Sequence, residues 1–371
     1  MKKKILITGA NGFVGKNVIS AFLYREDVVV STYNRNDSLE SLKASVETSD
    51  VILHLAGCNR SSDETDFQKI NVDLTSHICG LLEDAQSKKT LIFSSSSQSM
   101  NDSIYGKTKG RAEEAIQGIK NILVSSLILR LPNLFGKWSK PNYNSVVATF
   151  CYNIARNIEV KVNPSSQKID FCYIDQIVSL INELVTLPPS SPGSSIRKVD
   201  GHFQISVREL HDLIKKIHES RYSFTVLDFN DPLIIALTAT YNHFLPPEGR
   251  NVPVNLKQDQ RGWLFELIKN KNAGQIFIST TKPGFFRGNH FHHTKIEKFC
   301  VIKGSAEIKM RDIFDKDVKT YNVDDKNIQI IDIPTGYTHN IINTGDSDLI
   351  TIFWASEVFS TERPDTYFQE V

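Results

Sequence analysis

The chain has 371 residues, with 43 lysines and arginines against 42 aspartates and glutamates. That length exceeds one compact core and predicts two domains. The balanced charge, with no basic block, argues against nucleic acid and anionic membrane as partners.

Lys2-Lys3-Lys4 precedes only three apolar residues before Thr8-Gly9, too few for the apolar stretch of a signal peptide. No run approaches the ~20 apolar residues of a membrane span. Cys58, Cys79, Cys151, Cys172 and Cys300 are scattered, with no CxxC. This is the pattern of reduced thiols in a cytoplasmic protein.

Ile5 to Thr8 is a continuous apolar run that reads as a strand buried on both faces. It leads into Gly9-Ala10-Asn11-Gly12-Phe13-Val14-Gly15, and Phe13 to Tyr24 then reads as a helix. This is a G-x-x-G-x-x-G dinucleotide loop. Gly9 allows the tight turn, Gly12 the approach of backbone N–H groups to a pyrophosphate, and Gly15 close helix–strand packing. Val28 to Thr32 reads as the second strand, after which an acidic residue would select NAD. The chain offers Asn34-Arg35 there; a guanidinium suits a 2′-phosphate, so NADP is expected.

Asp50 to Gly57 reads as a further buried strand ending in Ala56-Gly57, where a cofactor ring can lie against backbone. His54 within it is expected to be a satisfied core histidine. Leu91-Ile92-Phe93 runs into Ser94-Ser95-Ser96-Ser97, and Tyr105-Gly106-Lys107-Thr108-Lys109 opens a helix. Tyr105 and Lys109 are one helical turn apart. A nearby ammonium favours phenolate, so the pair is expected to lower the phenol pKa and make Tyr105 a usable acid.

These pieces, together with Arg130-Leu131-Pro132-Asn133-Leu134-Phe135-Gly136 and Phe171-x-Tyr173-Ile174-Asp175, make residues 1 to about 245 resemble an extended short-chain dehydrogenase/reductase. The resemblance implies that Tyr105 is the general acid/base and that Lys109 binds the nicotinamide ribose. It also implies that a serine polarises the substrate carbonyl: Ser96, with Ser95 and Ser97 as alternates. The serine run stands closer to Tyr105 than is usual for that family. Lys137 to Tyr152 resembles the segment where such enzymes hold a nucleotide-sugar.

Pro188 to Ser195 has loop composition, and Val207 to Ile217 reads as an amphipathic helix of the same domain. Pro246-Pro247-Glu248-Gly249 marks the expected boundary, giving domains 1–245 and 246–371. Beyond it the chain reads as short strands: Gln275–Ser279, Lys298–Ile302, Ala306–Met310, Ile328–Ile333 and Leu349–Trp354. Turns such as Pro283-Gly284 separate them, predicting an antiparallel barrel or sandwich. His290 and His292 alternate and so face one way. Glu297 and His339 can join them, and three imidazoles with a carboxylate suit zinc or another first-row divalent ion. His293 is expected to point away. The module resembles a cupin. Its first motif matches without a gap, and its second matches from Pro334 through His339 to Asn343, with Ile328 where a glycine is usual. The expected fold is thus a Rossmann-type doubly wound parallel sheet followed by an all-β cupin barrel.

Reductase followed by cupin, with Trp138 to Ser145 and the tail Pro364-Asp365-Thr366-Tyr367-Phe368, resembles the bifunctional capsular polysaccharide enzymes over essentially the whole length. The resemblance implies C3 epimerisation of a UDP-2-acetamido-2,6-dideoxy-4-hexulose in the cupin. Reduction at C4 by NADPH would follow in the N-terminal domain. The product would be an N-acetyl-L-talosamine-type sugar nucleotide on the way to UDP-N-acetyl-L-fucosamine. Two other readings stay open: an NADP-binding sensor without turnover, and a metal-dependent dioxygenase cupin fused to a reductase. A homodimer is expected by analogy with cupins.

Overall fold

The computed structural model describes residues 2–99, 101–162, 167–187 and 191–371. The chain divides into two compact units, Met1–Lys216 with Phe229–Gly249, and Ile217–Asp228 with Arg250–Val371.

In chain order the first part comprises β1 (Lys3–Thr8), α1 (Phe13–Phe22), β2 (Val28–Tyr33), α2 (Leu39–Thr48), β3 (Val51–His54) and α3 (Thr65–Phe67). A wide helical turn at Gln68–Asp73 leads on to α4 (Leu74–Glu83), β4 (Lys89–Ser96), α5 (Ile104–Gln117), β5 (Val124–Leu131), β6 (Asn133–Phe135) and α6 (Val146–Ile154). Then come β7 (Lys168–Tyr173), α7 (Ile174–Thr186), β8 (Gly193–Lys198), β9 (Phe203–Ser206), α8 (Val207–Tyr222) and α9 (Pro232–Phe244).

Six strands form a parallel sheet in the order β2-β1-β3-β4-β5-β8. Because successive side chains of a strand face opposite ways, the apolar runs feed two cores. Ile5, Ile7, Val51, Leu53 and Ile92 pack with Val18 and Phe22 of α1 and Ile177 and Ile181 of α7. Leu6, Ile52, Leu91 and Phe93 pack with Leu42, Ile78, Leu82, Ala112 and Ile116 from α2, α4 and α5. This is the doubly wound sheet the sequence predicts. β2 lies on one side of β1 and β3 on the other, so the winding direction reverses between β1 and β3. The carboxyl ends of these strands are where such sheets bind ligands.

The loop reading of Pro188 to Ser195 needs correction. Pro188, Pro189 and Ser190 lie outside the described residues, but Gly193–Lys198 is a strand, β8, paired in parallel with β5. Every residue of it is exposed. An exposed edge strand held mainly by main-chain bonds leaves no apolar pattern to read.

The second unit holds β10 (Lys257–Asp259), β11 (Gly262–Asn270), β12 (Gly274–Thr281), β13 (Phe286–Phe291), β14 (Glu297–Lys303) and β15 (Ser305–Asp312). It continues with β16 (Lys319–Asp324), β17 (Ile330–Ile333), β18 (Tyr337–Asn343), β19 (Leu349–Ala355) and β20 (Tyr367–Phe368). Two antiparallel sheets result, β10-β11-β12-β19-β14-β17 and β16-β15-β18-β13-β20. Phe299, Val301, Ile308, Met310, Ile341 and Phe353 fill the space between them. Ile217–Asp228 groups with this unit, whereas composition assigned it to the first. The reason is main-chain pairing: Val226 N–H donates to Lys269 O at 2.7 Å, and Lys269 N–H donates to Phe224 O at 2.8 Å.

Candidate active site and metal centre

The first site is a cleft of about 1070 Å³ at the carboxyl ends of β1, β3 and β4. Gly9, Asn11, Gly12, Phe13, Val14 and Gly15 line one part of it. Gly9 has φ +70°, and a side chain there would meet Ala56 Cα and N at 2.7 Å. A Cβ on Gly15 would stand 2.3 Å from Gly9 O. The loop therefore has no room for larger residues at either point, and α1 starts directly under it. The first turn of α1 carries no acidic residue and no side-chain cap, so its N–H groups and dipole are left for an anion. These residues fit a dinucleotide pyrophosphate. Gly57 lines the cleft too, whereas Ala56 contributes the backbone that Gly9 packs on.

Ser94, Ser95 and Ser96 end β4, and Tyr105 lies in the first turn of α5, whose N-cap Ser103 accepts from Gly106 N–H. The intervening loop turns tightly: Gln98 N–H donates to Ser96 Oγ at 3.1 Å and Ser99 N–H to Ser96 O at 3.0 Å. That turn accommodates the short spacing and brings the Ser96 hydroxyl beside Tyr105. Ser95 faces away from it, donating to Glu113 Oε1. Glu113 is in turn gripped by Arg130, with Nη2 to Oε2 at 2.6 Å and Nε to Oε1 at 3.1 Å. The two neighbouring serines thus have different surroundings.

Lys109 is buried, donates to Ser94 O at 2.8 Å, and stands 4.5 Å from the centre of the Phe93 ring. Burial pushes its ammonium down to about 8, against the partial support of Glu113. The expected effect of Lys109 on Tyr105 is not what the structure gives. Burial raises the phenol above its ordinary value, and only the bond with Ser96 acts the other way. Desolvation of the phenolate outweighs the nearby hydrogen bond.

Lys16, Arg60, Lys109 and Lys140 line the cleft, and its described lining includes no carboxylate. Such a surface attracts phosphates. Trp138, Ser139, Lys140, Asn142, Tyr143 and Asn144 form its other part. Trp138 and Asn142 have φ of 66° and 53°, backbone conformations that non-glycine residues adopt where surrounding structure holds them. The Tyr143 hydroxyl donates to Arg60 O, and the Arg60 guanidinium donates to Tyr143 O. Arg35 is not part of this lining: its guanidinium pairs with Asp66 Oδ1 at 3.1 Å.

Sequence reasoning passed over Asn71, which is buried and staples the loop after β3 to α5. It accepts from Cys58 N–H at 2.8 Å and donates to Cys58 O and Thr108 Oγ1 at 2.9 and 3.1 Å. Nothing in one sequence marks it. His54 is the core histidine expected, bonded to Thr8 Oγ1 at 2.7 Å and Thr75 Oγ1 at 2.8 Å, with burial pushing it down to about 3.

In the second unit β13, β14 and β18 bring His290, Glu297 and His339 together, with His292 one residue past the end of β13. Ligand atoms of the four lie within 4.8 Å of one another. Glu297 Oε2 is 3.1 Å from His292 Nε2 and 3.2 Å from His339 Nε2. The other nitrogen of each ring faces a carbonyl: His292 Nδ1 meets Asp365 O at 2.5 Å, and His339 Nδ1 meets Tyr337 O at 3.2 Å. A carbonyl only accepts, so Nδ1 carries the proton and Nε2 a lone pair. Both Nε2 atoms are buried beside the Glu297 carboxylate, and an unprotonated nitrogen cannot donate to it, so neither makes a hydrogen bond. Lone pairs converging on a carboxylate are what a divalent cation satisfies, so the donor set fits a metal. Burial, with the His339 ring beside it, pushes His290 down to about 4 and keeps it neutral. His293 points elsewhere, against Phe291 and Tyr367.

Residues 5–194 match the model of the NAD dependent epimerase/dehydratase family. The chain belongs to that family. With membership comes a nicotinamide coenzyme, and the chain is an enzyme of that chemistry. Residues 257–367 match the polysaccharide biosynthesis C-terminal domain. A curated relative from Pseudomonas aeruginosa, UDP-2-acetamido-2,6-beta-L-arabino-hexul-4-ose reductase, is 39% identical over 98% of both chains. The solved capsular polysaccharide assembling protein CapF of Staphylococcus aureus is 38% identical, with TM-score 0.89 over 99% of this chain and 100% of that one. UDP-glucuronic acid 4-epimerase from Bacillus cereus, solved with NAD, is 18% identical at TM-score 0.56 over 65% of this chain and 96% of its own, a likeness of fold alone. Among the described residues no helix is long and apolar enough to cross a membrane.

Proposed function

We propose that the chain is a bifunctional nucleotide-sugar enzyme. Its N-terminal cleft reduces the C4 ketone of a UDP-2-acetamido-2,6-dideoxy-4-hexulose with NADPH, after the C-terminal barrel has inverted C3. The product is a UDP-N-acetyl-L-talosamine-type sugar on the way to UDP-N-acetyl-L-fucosamine. The observation that carries this reading is the full-length likeness to a named UDP-hexulose reductase in a chain that sets Ser96 against Tyr105.

The coenzyme, when bound, supplies the hydride. Tyr105, kept protonated by burial, donates its proton to the C4 oxygen, and the Ser96 hydroxyl holds that oxygen in place. Lys109 spends one of its three N–H donors on Ser94 O; the other two serve the nicotinamide ribose. Its charge favours the phenolate left when Tyr105 gives up its proton. Lys16, Arg60 and Lys140 meet the diphosphates, and Arg35 turns from Asp66 to the 2′-phosphate of NADPH.

In the barrel His290, His292, Glu297 and His339 would hold a divalent ion, zinc by the nature of the donors. Such an ion supplies Lewis acidity or ties the strands together. The ketone makes the C3 proton acidic, so inversion there precedes reduction. A cytoplasmic homodimer completes the reading. Unpaired cysteines support the compartment, and pairing is carried over by analogy with barrels of this kind.

The test is NADPH oxidation with a panel of UDP-4-keto sugars, alongside metal analysis of the purified protein. Turnover of the 2-acetamido-2,6-dideoxy-4-hexulose with one divalent ion per chain is expected. Absence of oxidation with any 4-keto sugar would sink the reading.

A further inference from the structure

The tail beyond β19 returns to the metal cluster in a way that the proposed chemistry leaves unexplained. His292 and Glu297 are separated by a four-residue loop, His293 to Ile296, with no regular structure. Left to itself, such a loop holds two ligands loosely. Asp365 closes it from outside. Its carboxylate accepts from three successive backbone N–H groups, those of His293, Thr294 and Lys295, at 3.0, 2.9 and 2.8 Å. It also accepts from the Thr294 hydroxyl at 2.9 Å. Burial works against the carboxylate, but these bonds hold it well below the usual range.

The same residue's carbonyl meets His292 Nδ1 at 2.5 Å, so one residue fixes both the loop and the ring tautomer. Asp365 adopts φ +37° to do so, a strained conformation for a residue with a side chain. Its neighbours add further ties. Lys295 Nζ donates to Pro364 O at 2.6 Å and to Thr366 Oγ1 at 3.1 Å. Beyond Asp365, β20 pairs with β13 through Phe291↔Tyr367 and His290↔Phe368, beside two of the ligands.

We infer that Asp365 is a positioning residue for the metal, and that Pro364 to Phe368 is a strap that preorganises His292 and the loop to Glu297. The inference rests on the reading of the four residues as a metal site. A partner behind a metal-bound imidazole typically changes metal affinity about 10–100-fold when removed.

The test uses the full chain, stripped of metal and titrated with Zn²⁺ against a chromophoric chelator, with Co²⁺ absorption as a second readout. Asp365→Gly removes the carboxylate, keeps the carbonyl and tolerates the left-handed backbone. By freeing the loop to Glu297 it should weaken Zn²⁺ binding about fivefold or more, short of the 10–100-fold of losing the imidazole's own partner, and alter the Co²⁺ ligand-field bands, while the metal-free protein keeps its far-ultraviolet spectrum. Asp365→Asn keeps an acceptor oxygen but loses the charge, so it should fall between wild type and Asp365→Gly; it serves as the primary variant if Asp365→Gly fails to fold. Wild-type affinity and Co²⁺ bands in the folded variants would overturn the strap. Failure of the wild-type chain to bind either ion would instead remove the metal reading on which it rests.

Discussion

The two sites of this chain are built on opposite plans. The N-terminal cleft is a broad opening of about 1070 Å³ in which Ser96 stands beside Tyr105 and Lys109 donates to Ser94 O. The C-terminal cluster is small and buried except for half-buried His290, and the Nε2 atoms of His292 and His339 make no hydrogen bond. A cleft with four cations and no described carboxylate is made to take in a large anion and let it go. A closed knot of lone pairs fits the small cation proposed for it. The difference teaches that two sites of one chain can be read from opposite signals, exposed charge in one and buried lone pairs in the other.

The largest expected effect lies in the cleft. Tyr105→Phe should lower the rate of hydride transfer about 10²–10⁴-fold, the range for losing a general acid, while NADPH binding by fluorescence stays near wild type. Near-normal reduction would remove Tyr105 from the mechanism. The serines sharpen the same point. Ser96→Ala should lower kcat by about 10²–10³, as for loss of a donor to a developing oxyanion. Ser95→Ala should leave kcat far less affected and destabilise the fold by about 1–3 kcal/mol, since Glu113 then loses a buried donor. Reversed results would exchange the two roles.

How far the sequence foretold these sites follows from the range of the interactions. The glycine loop, the Tyr105/Lys109 helical turn and the His290/His292 alternation are local patterns, readable from spacing alone. The partnership of Ser95 with Glu113 is settled by residues distant in sequence, so the serine run left three candidates open. The direction of the Tyr105 shift was misjudged for the same reason, because burial is a property of the packed fold. β8 is an exposed edge strand without an apolar pattern, and Ile217–Asp228 joins the second unit through main-chain bonds that no side chain announces. Asp365 lies 68 positions after Glu297, and only the folded chain brings it against the loop between His292 and Glu297.

A smaller effect concerns pH. The Lys109 ammonium is disfavoured by burial and loses its proton near pH 8 in the free enzyme. The log of kcat/KM for reduction should therefore fall above about pH 8, because kcat/KM reports groups of the free enzyme. The unfolded chain keeps that proton up to its ordinary value near 10.5. Stability from this group alone should thus rise between pH 8 and 10.5, read as a shift of the urea midpoint that Lys109→Met removes. A flat kcat/KM profile through pH 8 to 9 would separate Lys109 from the reaction.

The smallest effect is on coenzyme choice. Arg35→Ala should weaken NADPH by roughly 10–100-fold, the size of a charge-assisted hydrogen bond of about 1.5–3 kcal/mol, and leave NADH almost unchanged. Equal loss for both would confine Arg35 to its ion pair with Asp66.

The division of labour is tested most directly by following deuterium and hydride in the same full-length variants. In deuterated water, Tyr105→Phe should still exchange the sugar C3 proton without reducing the ketone. Glu297→Gln should lose that exchange yet oxidise NADPH when given the already epimerised ketone. Loss of C3 exchange in Tyr105→Phe, with exchange intact in Glu297→Gln, would place both reactions in the N-terminal cleft and contradict the account.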